Sequence, residues 1–160
     1  MSAPEQTVTH ATRRWLHASA LLSATVALMH LVIILAGPNA YVFFGASDLG
    51  VREAAGSWLP DVITAGLVLL VSIWAYYAAA AAGSVTRAPP LLSAGLWLIA
   101  GIYTLRGLGA VPEVLGVVHG SGNVPPRFVA FSVVSLMIGL VHLRGAVLRQ
   151  RDLRRAPRSA

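Results

Sequence analysis

The chain has 160 residues, about the length of one domain. Only 11% of the residues are charged and 56% are hydrophobic, whereas a soluble domain carries about a quarter of its residues as Asp, Glu, Lys and Arg. This composition argues against a soluble, a disordered or a nucleic-acid-binding protein, and it predicts the lipid bilayer as the main partner. The formal net charge is +6 and its positive part comes entirely from arginine, so the basicity calls first for a membrane explanation.

Four apolar segments are long enough to span a bilayer, since a spanning helix needs about 20 residues. In chain order they are residues 15–37, 58–83, 91–111 and 128–148. Backbone groups in lipid must be hydrogen-bonded within the segment, which favours helices. We therefore predict an all-α fold, an integral membrane four-helix bundle that forms a single transmembrane domain over residues 1–160.

The connections between these helices differ in length. Residues 38–57 contain Tyr41, Phe43 and Phe44 and then Ser47 and Asp48, a pattern that predicts an aromatic interfacial anchor followed by a short capped helix. This loop either covers a site or connects two helices along the surface. Gly83 and Pro90 bracket a tight second connection, and residues 120–126 form a third.

Arginines mark the predicted cytoplasmic side. They precede the first helix at Arg13 and Arg14, lie in the second connection at Arg87, and fill a basic tail at residues 149–160. We expect both termini in the cytoplasm, with the chain as a multi-pass membrane protein. The residues around Arg13 and Arg14 resemble a twin-arginine export signal, but four long spans favour a retained first helix.

Small and polar residues recur at helical spacing in each segment and should face the bundle interior. They are Ser19, Ser23, Ala27 and His30 in the first helix; Asp61, Thr64, Ser72 and Tyr76 in the second; Gly95, Gly101, Tyr103, Arg106 and Gly109 in the third; Ser132, Ser135, Gly139, His142 and Ala146 in the fourth. Helix packing accounts for most of them.

Packing does not account for Arg106, which lies roughly 22 Å from the cytoplasmic edge by the helical rise. An arginine at the centre of a span costs about 2.5–3.5 kcal/mol on insertion scales, and it stays protonated. Two interpretations remain open. Arg106 either extends to the outer headgroups or faces the interior, pairs with a carboxylate and binds an anionic or polar ligand.

Depth arithmetic brings other polar side chains to the level of Arg106. The predicted ligand-binding set is His30, Asp61, Thr64, Tyr103 and Arg106. Arg106 would anchor charge, Asp61 would be its counter-ion, and His30 and Tyr103 would form hydrogen bonds; Glu53 could reach the mouth. Each also has a simpler interpretation, such as a helix N-terminus for Asp61 or core packing for Tyr103 and His30.

The sequence predicts no metal and no cofactor, and it leaves catalytic residues unassigned. His30 and His142 should differ by roughly 15 Å in depth, too far for one haem iron to bridge. No His, Asp or Glu spacing is typical of a zinc or di-iron site. The chain has no cysteine, which excludes thiolate ligands and cysteine nucleophiles.

The chain contains, in order, Gly37-Pro38, Tyr41, Phe44-Gly45-Ala46, Gly56-Ser57, Pro60, Trp74-Ala75-Tyr76-Tyr77 and Tyr103-Thr104-Leu105-Arg106-Gly107-Leu108, with a histidine in the first and fourth helices. Together these strings resemble one family of small four-span bacterial inner-membrane proteins. The resemblance extends from about Leu16 to Arg144, and Tyr-x-x-Arg-Gly-Leu is its most specific element. The family has no assigned activity. The resemblance therefore implies a four-helix membrane fold and a multi-pass location in the bacterial inner membrane, and it implies no reaction.

Three functions are compatible with these features. The first is binding or transport of a small anionic or lipid-like ligand in an outward-facing polar pocket. The second is a non-catalytic subunit that packs against a partner membrane protein or another copy of the chain. The third, an enzyme with His30 as general base, has the least support because no motif places a second acid or nucleophile beside it.

Overall fold

The structure, a computed structural model, describes residues 8–119 and 125–156. These residues contain helices and no strands, which confirms the all-α prediction. The helices are α1 (His10–Ala36), α2 (Pro38–Phe43), α3 (Ser47–Ala54), α4 (Leu59–Ala81), α5 (Leu92–Leu108), α6 (Ala110–Val118) and α7 (Pro126–Arg155). Residues 120–124 of the third connection and 157–160 of the predicted tail lie outside the described ranges.

Four helical rods are long and apolar enough to cross a membrane: α1, α4, α5 together with α6, and α7. The main pairs are α1 with α4 and α5 with α7, and contacts of α1 with α7 and of α4 with α5 close the ring. We call the end with His10, Ala81, Leu92 and Arg155 the terminal end. The opposite end, with α2 and α3, is the loop end.

At the terminal end, α1 and α7 are longer than the sequence predicted. α1 begins five residues before Trp15 because Thr9 caps it, accepting from the Thr12 N–H at 3.3 Å. α7 continues past Leu148 to Arg155, so most of the predicted tail is helical. Asp152 Oδ2 accepts hydrogen bonds from the Thr9 N–H at 2.9 Å, the Thr9 hydroxyl at 3.0 Å and the Thr12 hydroxyl at 2.7 Å. We call this group the terminal clamp.

The third rod also extends beyond its predicted end at Val111. It is interrupted at Gly109 and continues as α6 to Val118. Pro112 has no N–H to donate to the Leu108 carbonyl, so the ladder of helical hydrogen bonds breaks there. The proline then lies in the first turn of α6, where a helix tolerates it.

The first connection contains two short helices, α2 and α3. They touch through backbone, since a Cβ at Gly50 would lie 2.7 Å from the Pro38 carbonyl oxygen. Tyr41, which we predicted at an interface, is 2% exposed and packs inward. Phe43 is about half exposed, whereas Phe44 stacks on Phe131 of α7.

The polar stripes of α1 and α7 face the interior as predicted, with Ser19, Ser23, Ala27, Ser132, Gly139, His142 and Ala146 all buried. The stripe assigned to the second helix is partly wrong, because Ser72 and Tyr76 are exposed. The buried line of α4 instead follows Thr64, Val71 and Ala78 at seven-residue spacing, a side of the helix that is mostly apolar.

Glycines set the close approach of α5 and α7. A Cβ at Gly107 would collide with the backbone of Leu136, and one at Gly139 would lie 2.7 Å from the backbone nitrogen of Thr104. Both neighbours are main-chain atoms and cannot rotate away. The two helices therefore pack at a distance that only glycine permits at these two positions.

Candidate functional site

A cavity of about 450 Å³ lies among the four rods in the loop half of the bundle. Every rod contributes to its wall, and most of the lining is apolar. The polar or charged side chains of the lining are His30 from α1, Tyr103 and Arg106 from α5 and Ser135 from α7. Apolar walls with a few polar groups are typical of sites that bind small molecules.

Arg106 turns from α5 toward α7. Its Nη1 donates to Ser132 Oγ at 2.6 Å, and the same nitrogen lies 3.9 Å from Glu113 Oε1. Ser132 is fully buried, whereas the Arg106 side chain is 52% exposed. Arg106 is thus anchored on the bundle and remains accessible. Its carboxylate partner is Glu113, in place of the Asp61 that we predicted.

His30 presents one ring nitrogen for binding. Its Nδ1 donates to the carbonyl oxygen of Val26, one turn earlier in α1, at 2.8 Å. This bond places the proton of the neutral ring on Nδ1 and leaves Nε2 available in the cavity wall. The Nε2 atom can accept a hydrogen bond when the ring is neutral and donate one when it is protonated.

Tyr103 connects the cavity wall to a buried chain of hydrogen bonds. Its hydroxyl donates to Ser23 Oγ at 3.4 Å, and Ser23 Oγ lies 3.1 Å from His142 Nε2. His142 Nδ1 donates to the Ile138 carbonyl at 3.0 Å, so Nε2 of the neutral ring accepts a hydrogen bond from the Ser23 hydroxyl. The Tyr103 ring also lies 5.2 Å from the His142 ring and 5.3 Å from Trp74. The sequence did not predict these contacts of Tyr103.

Asp61 and Thr64 do not line the cavity and belong to a second cluster under α2 and α3. The Tyr41 hydroxyl donates to Asp61 Oδ1 at 3.2 Å, and burial raises the pKa of Tyr41. Loss of solvent, followed by the charge of Asp61, raises the pKa of Glu53. The predicted five-residue set is therefore divided, with His30, Tyr103 and Arg106 together and Asp61 and Thr64 apart from them.

An aromatic group, made of Phe43, Phe44, Phe128 and Phe131, closes the cavity toward the loop end. Phe44 and Phe131, which both line the cavity, stack with ring centroids 5.3 Å apart. Arg127 holds this group from outside, with its guanidinium 5.3 Å from the Phe43 ring and 5.2 Å from the Phe128 ring. Its Nε also donates to the Phe43 carbonyl at 3.0 Å. Arg127 thus ties the first connection to the start of α7.

Sequence reasoning missed Glu113 and Ser132 as partners of Arg106. Glu113 is seven residues after Arg106, a spacing that puts both on one helix face, but it lay beyond the predicted end of the third helix at Val111. Ser132 belonged to a predicted packing stripe and carried no sign of its arginine partner. Among the described residues no group of three or more His, Asp or Glu side chains could hold a metal ion.

Comparison with protein-family models, with curated proteins and with solved structures finds no match to this chain. The family resemblance therefore stays a prediction. The function has to be inferred from the geometry and the chemistry of the cavity.

Proposed function

We propose that the chain is a multi-pass protein of a bacterial inner membrane, with both termini cytoplasmic, that binds a small anionic or lipid-like ligand in the cavity within the loop half of its bundle. The observation that carries the ligand proposal is the cavity itself. It combines a half-exposed arginine, a histidine nitrogen and a tyrosine with walls that are otherwise mainly apolar.

Membrane insertion is supported by what the four rods expose. Large apolar side chains face outward along all of them, including Leu35 at 78%, Leu69 at 65%, Leu98 at 65% and Met137 at 62% exposure. Soluble monomers seldom expose contiguous apolar patches larger than a few hundred Å². A surface of this kind is compatible with lipid, where it would lie against hydrocarbon chains.

The distribution of charge supports the orientation. The terminal end carries Arg13, Arg14, Arg87, Arg144, Arg149, Arg151, Arg154 and Arg155 among the described residues. The described part of the loop end carries three arginines, together with Asp48, Glu53, Asp61 and Glu113. By the positive-inside rule the terminal end would face the cytoplasm and the loop end the outside.

The chemistry of the cavity supports an anionic or lipid-like ligand. Arg106 offers charge-assisted hydrogen bonds, which are about twice as strong as neutral ones. None of the described residues that line the cavity is a carboxylate, and Glu113 lies to one side of the guanidinium at the longer distance of 3.9 Å. Apolar walls would receive a hydrocarbon portion of the ligand, and the aromatic group would shield it from water.

The partner-subunit alternative receives less support from the structure. It depends on stripes of small residues that face a partner. Gly101 of these stripes is exposed and faces open space, but Gly95, Gly109 and Gly139 all meet side chains or backbone of this same chain. These glycines are used in the packing of the bundle. For an enzyme, the described lining supplies His30 without a carboxylate beside it, so we propose binding and no reaction.

Orientation can be tested with single cysteines, because the chain has none of its own. Ala55→Cys, at the end of α3, and Thr86→Cys, in the connection from α4 to α5, are both at exposed positions. We expect a membrane-impermeant maleimide to label position 55 in intact cells and to label position 86 only after lysis. The reverse pattern would overturn the orientation, and labelling of both in intact cells would argue against four spans.

The ligand can be tested by mass spectrometry of the small molecules and lipids that co-purify with the protein. We expect Arg106→Ala to lose an anionic species that the wild type retains, while membrane insertion is unchanged. Arg52→Ala, which removes an exposed positive charge at the same end, is the matched control and should retain it. Equal retention by wild type and Arg106→Ala would refute the proposal.

A further inference from the structure

A second and larger recess lies at the terminal end, between α5 and α7. Its volume is about 890 Å³, and its lining comes from the first turns of α5 and the last turns of α7. Leu96, Trp97 and Ala146 form its apolar part, and Ser93, Arg149 and Arg154 its polar part. We call this recess the terminal groove. It is separate from the cavity of Arg106, with which it shares no lining residue.

Arg149 is the buried cation of the terminal groove. The residue is only 9% exposed, and its Nη1 donates to Ser93 Oγ at 2.8 Å. A guanidinium has five N–H donors, so a single serine acceptor satisfies a small part of its capacity. Arg149 remains charged at any physiological pH, and its charge must therefore be balanced where it lies.

No carboxylate of the described residues forms an ion pair with Arg149. The nearest acidic residue along α7, Asp152, directs Oδ2 to Thr9 and Thr12 of the terminal clamp. Arg154, which is exposed, adds a second positive charge to the same groove. The groove thus combines two cations with no acidic side chain in its described lining, and its chemistry favours an anion with several acceptor oxygens.

We infer that the terminal groove binds the phosphate headgroup of an anionic phospholipid, with its glycerol and upper acyl chains against Trp97, which is 39% exposed. Basic pockets between helices at the cytoplasmic surface suit such headgroups, and tryptophan is favoured at the membrane interface. The inference rests on the proposed membrane orientation, which places the terminal end at the cytoplasmic leaflet. It concerns a different ligand site from the cavity of Arg106.

The test reconstitutes the protein in vesicles of equimolar phosphatidylglycerol and phosphatidylcholine and measures by native mass spectrometry which lipids it retains. Both lipids carry a phosphate and matched acyl chains, so their ratio isolates the effect of net headgroup charge. We expect the wild type to prefer phosphatidylglycerol, and Arg149→Gln to reduce that preference about tenfold, as for loss of a charge-assisted hydrogen bond. Arg151→Gln is the matched control, because Arg151 is exposed, lies on the same helix and does not line the groove.

A second variant covers the case in which Arg149→Gln fails to fold. Ala94 lines the groove at an exposed position, so Ala94→Trp fills the recess without changing any charge, and we expect it to lose the preference too. Equal preference in wild type, Arg149→Gln and Ala94→Trp would overturn the inference, as would an equal loss in Arg149→Gln and Arg151→Gln.

Two further arms separate this site from other sources of the signal. Arg106→Gln should keep the phosphatidylglycerol preference, so a failure of the cavity proposal leaves this result standing; loss of the preference in that variant would assign the lipid to the cavity. Millimolar inorganic phosphate should not displace the lipid from detergent-solubilised protein. If phosphate displaces the lipid from the wild type but not from Arg149→Gln, the groove would be a site for free phosphate, and the lipid proposal would be overturned.

Discussion

The α5–α7 pair carries one arginine–serine bond at each end, and the two bonds are near mirror images of each other. At the loop end Arg106 of α5 donates to Ser132 of α7 at 2.6 Å, and at the terminal end Arg149 of α7 donates to Ser93 of α5 at 2.8 Å. At the loop end the serine is buried and the arginine exposed, whereas at the terminal end the arginine is buried and the serine exposed.

This difference shows that the same pair of residue types can serve two purposes. A buried serine holds the base of Arg106 and leaves much of its guanidinium accessible beside Glu113. A buried arginine without a carboxylate in the described structure leaves a charge that an external anion would balance. Burial of the arginine, more than the bond it makes, therefore distinguishes the two ends.

The largest expected effect comes from the contact that holds both bonds in register. Gly107→Ala would drive a Cβ into the backbone of Leu136, and overpacking of this kind costs typically about 1–3 kcal/mol. We expect a clear loss of thermal stability, and weaker ligand retention at both ends because α5 and α7 must separate. Thermal unfolding in one detergent measures the first effect.

Gly101→Ala is the control for Gly107→Ala, since it lies in the same helix with nothing within 4 Å of the methyl group that the substitution adds. It should be neutral or more stable by up to about 1 kcal/mol, because alanine favours helix over glycine. Equal destabilisation by both variants would show that α5 and α7 are not held by this approach, and the comparison of their ends would then lose its basis.

Removal of either serine should have a smaller effect on stability, and the loss should differ between the two ends. Ser93→Ala removes an acceptor from the buried Arg149, which cannot regain it fully from water, so we expect a loss of about 1–2 kcal/mol. Ser132→Ala removes an acceptor from the half-exposed Arg106, which water can rehydrate, so we expect about 1 kcal/mol or less. Unfolding without anionic lipid measures both. The reverse order would contradict the role given to arginine burial.

The smallest effect concerns the carboxylates of the loop end. The pKa of Glu53 is raised in the folded protein. Protonated Glu53 therefore favours the folded state. This contribution to the free energy of unfolding is fully present below the ordinary pKa of 4.5 and is lost as the pH rises through the folded pKa. Glu53→Gln should therefore unfold at a slightly higher temperature than the wild type at about pH 7, and the gain should vanish at about pH 4.

Asp48→Asn is the comparison for Glu53→Gln. Asp48 lies in the first turn of α3, where a negative charge is favourable, so its removal should bring no gain at neutral pH. A gain of equal size in both variants would mean that general charge reduction, and not the environment of Glu53, sets the effect.

The long helices could be predicted from the sequence because hydrophobic length is a strong local signal. The ends of the helices were harder to predict, and errors in their positions led to errors in the predicted site. Ser23 lies thirteen residues from the start of α1 at His10, and His142 thirteen residues from the end of α7 at Arg155. With the shorter predicted helices the equal level of these two residues was hidden, and so was the Tyr103–Ser23–His142 chain.

The candidate site was predicted in part for the same reason. Depth arithmetic correctly brought His30, Tyr103 and Arg106 to one level, since it depends only on the helical rise. It carried no information about direction around the helix, so it also included Asp61 and Thr64, which point to Tyr41 and its surroundings. Arg149 was assigned to orientation alone, because a predicted tail gave no reason to expect burial.

The terminal clamp has a consequence for the order in which the helices can be joined. Asp152 brings the start of α1 and the end of α7 within hydrogen-bond distance, so a short linker could connect them. Opening the chain in the connection between α4 and α5 would then create new ends on the same side of the bundle. A circular permutant of this kind would keep the direction of every long helix. The packing of the bundle therefore does not depend on which connection at the terminal end is left open.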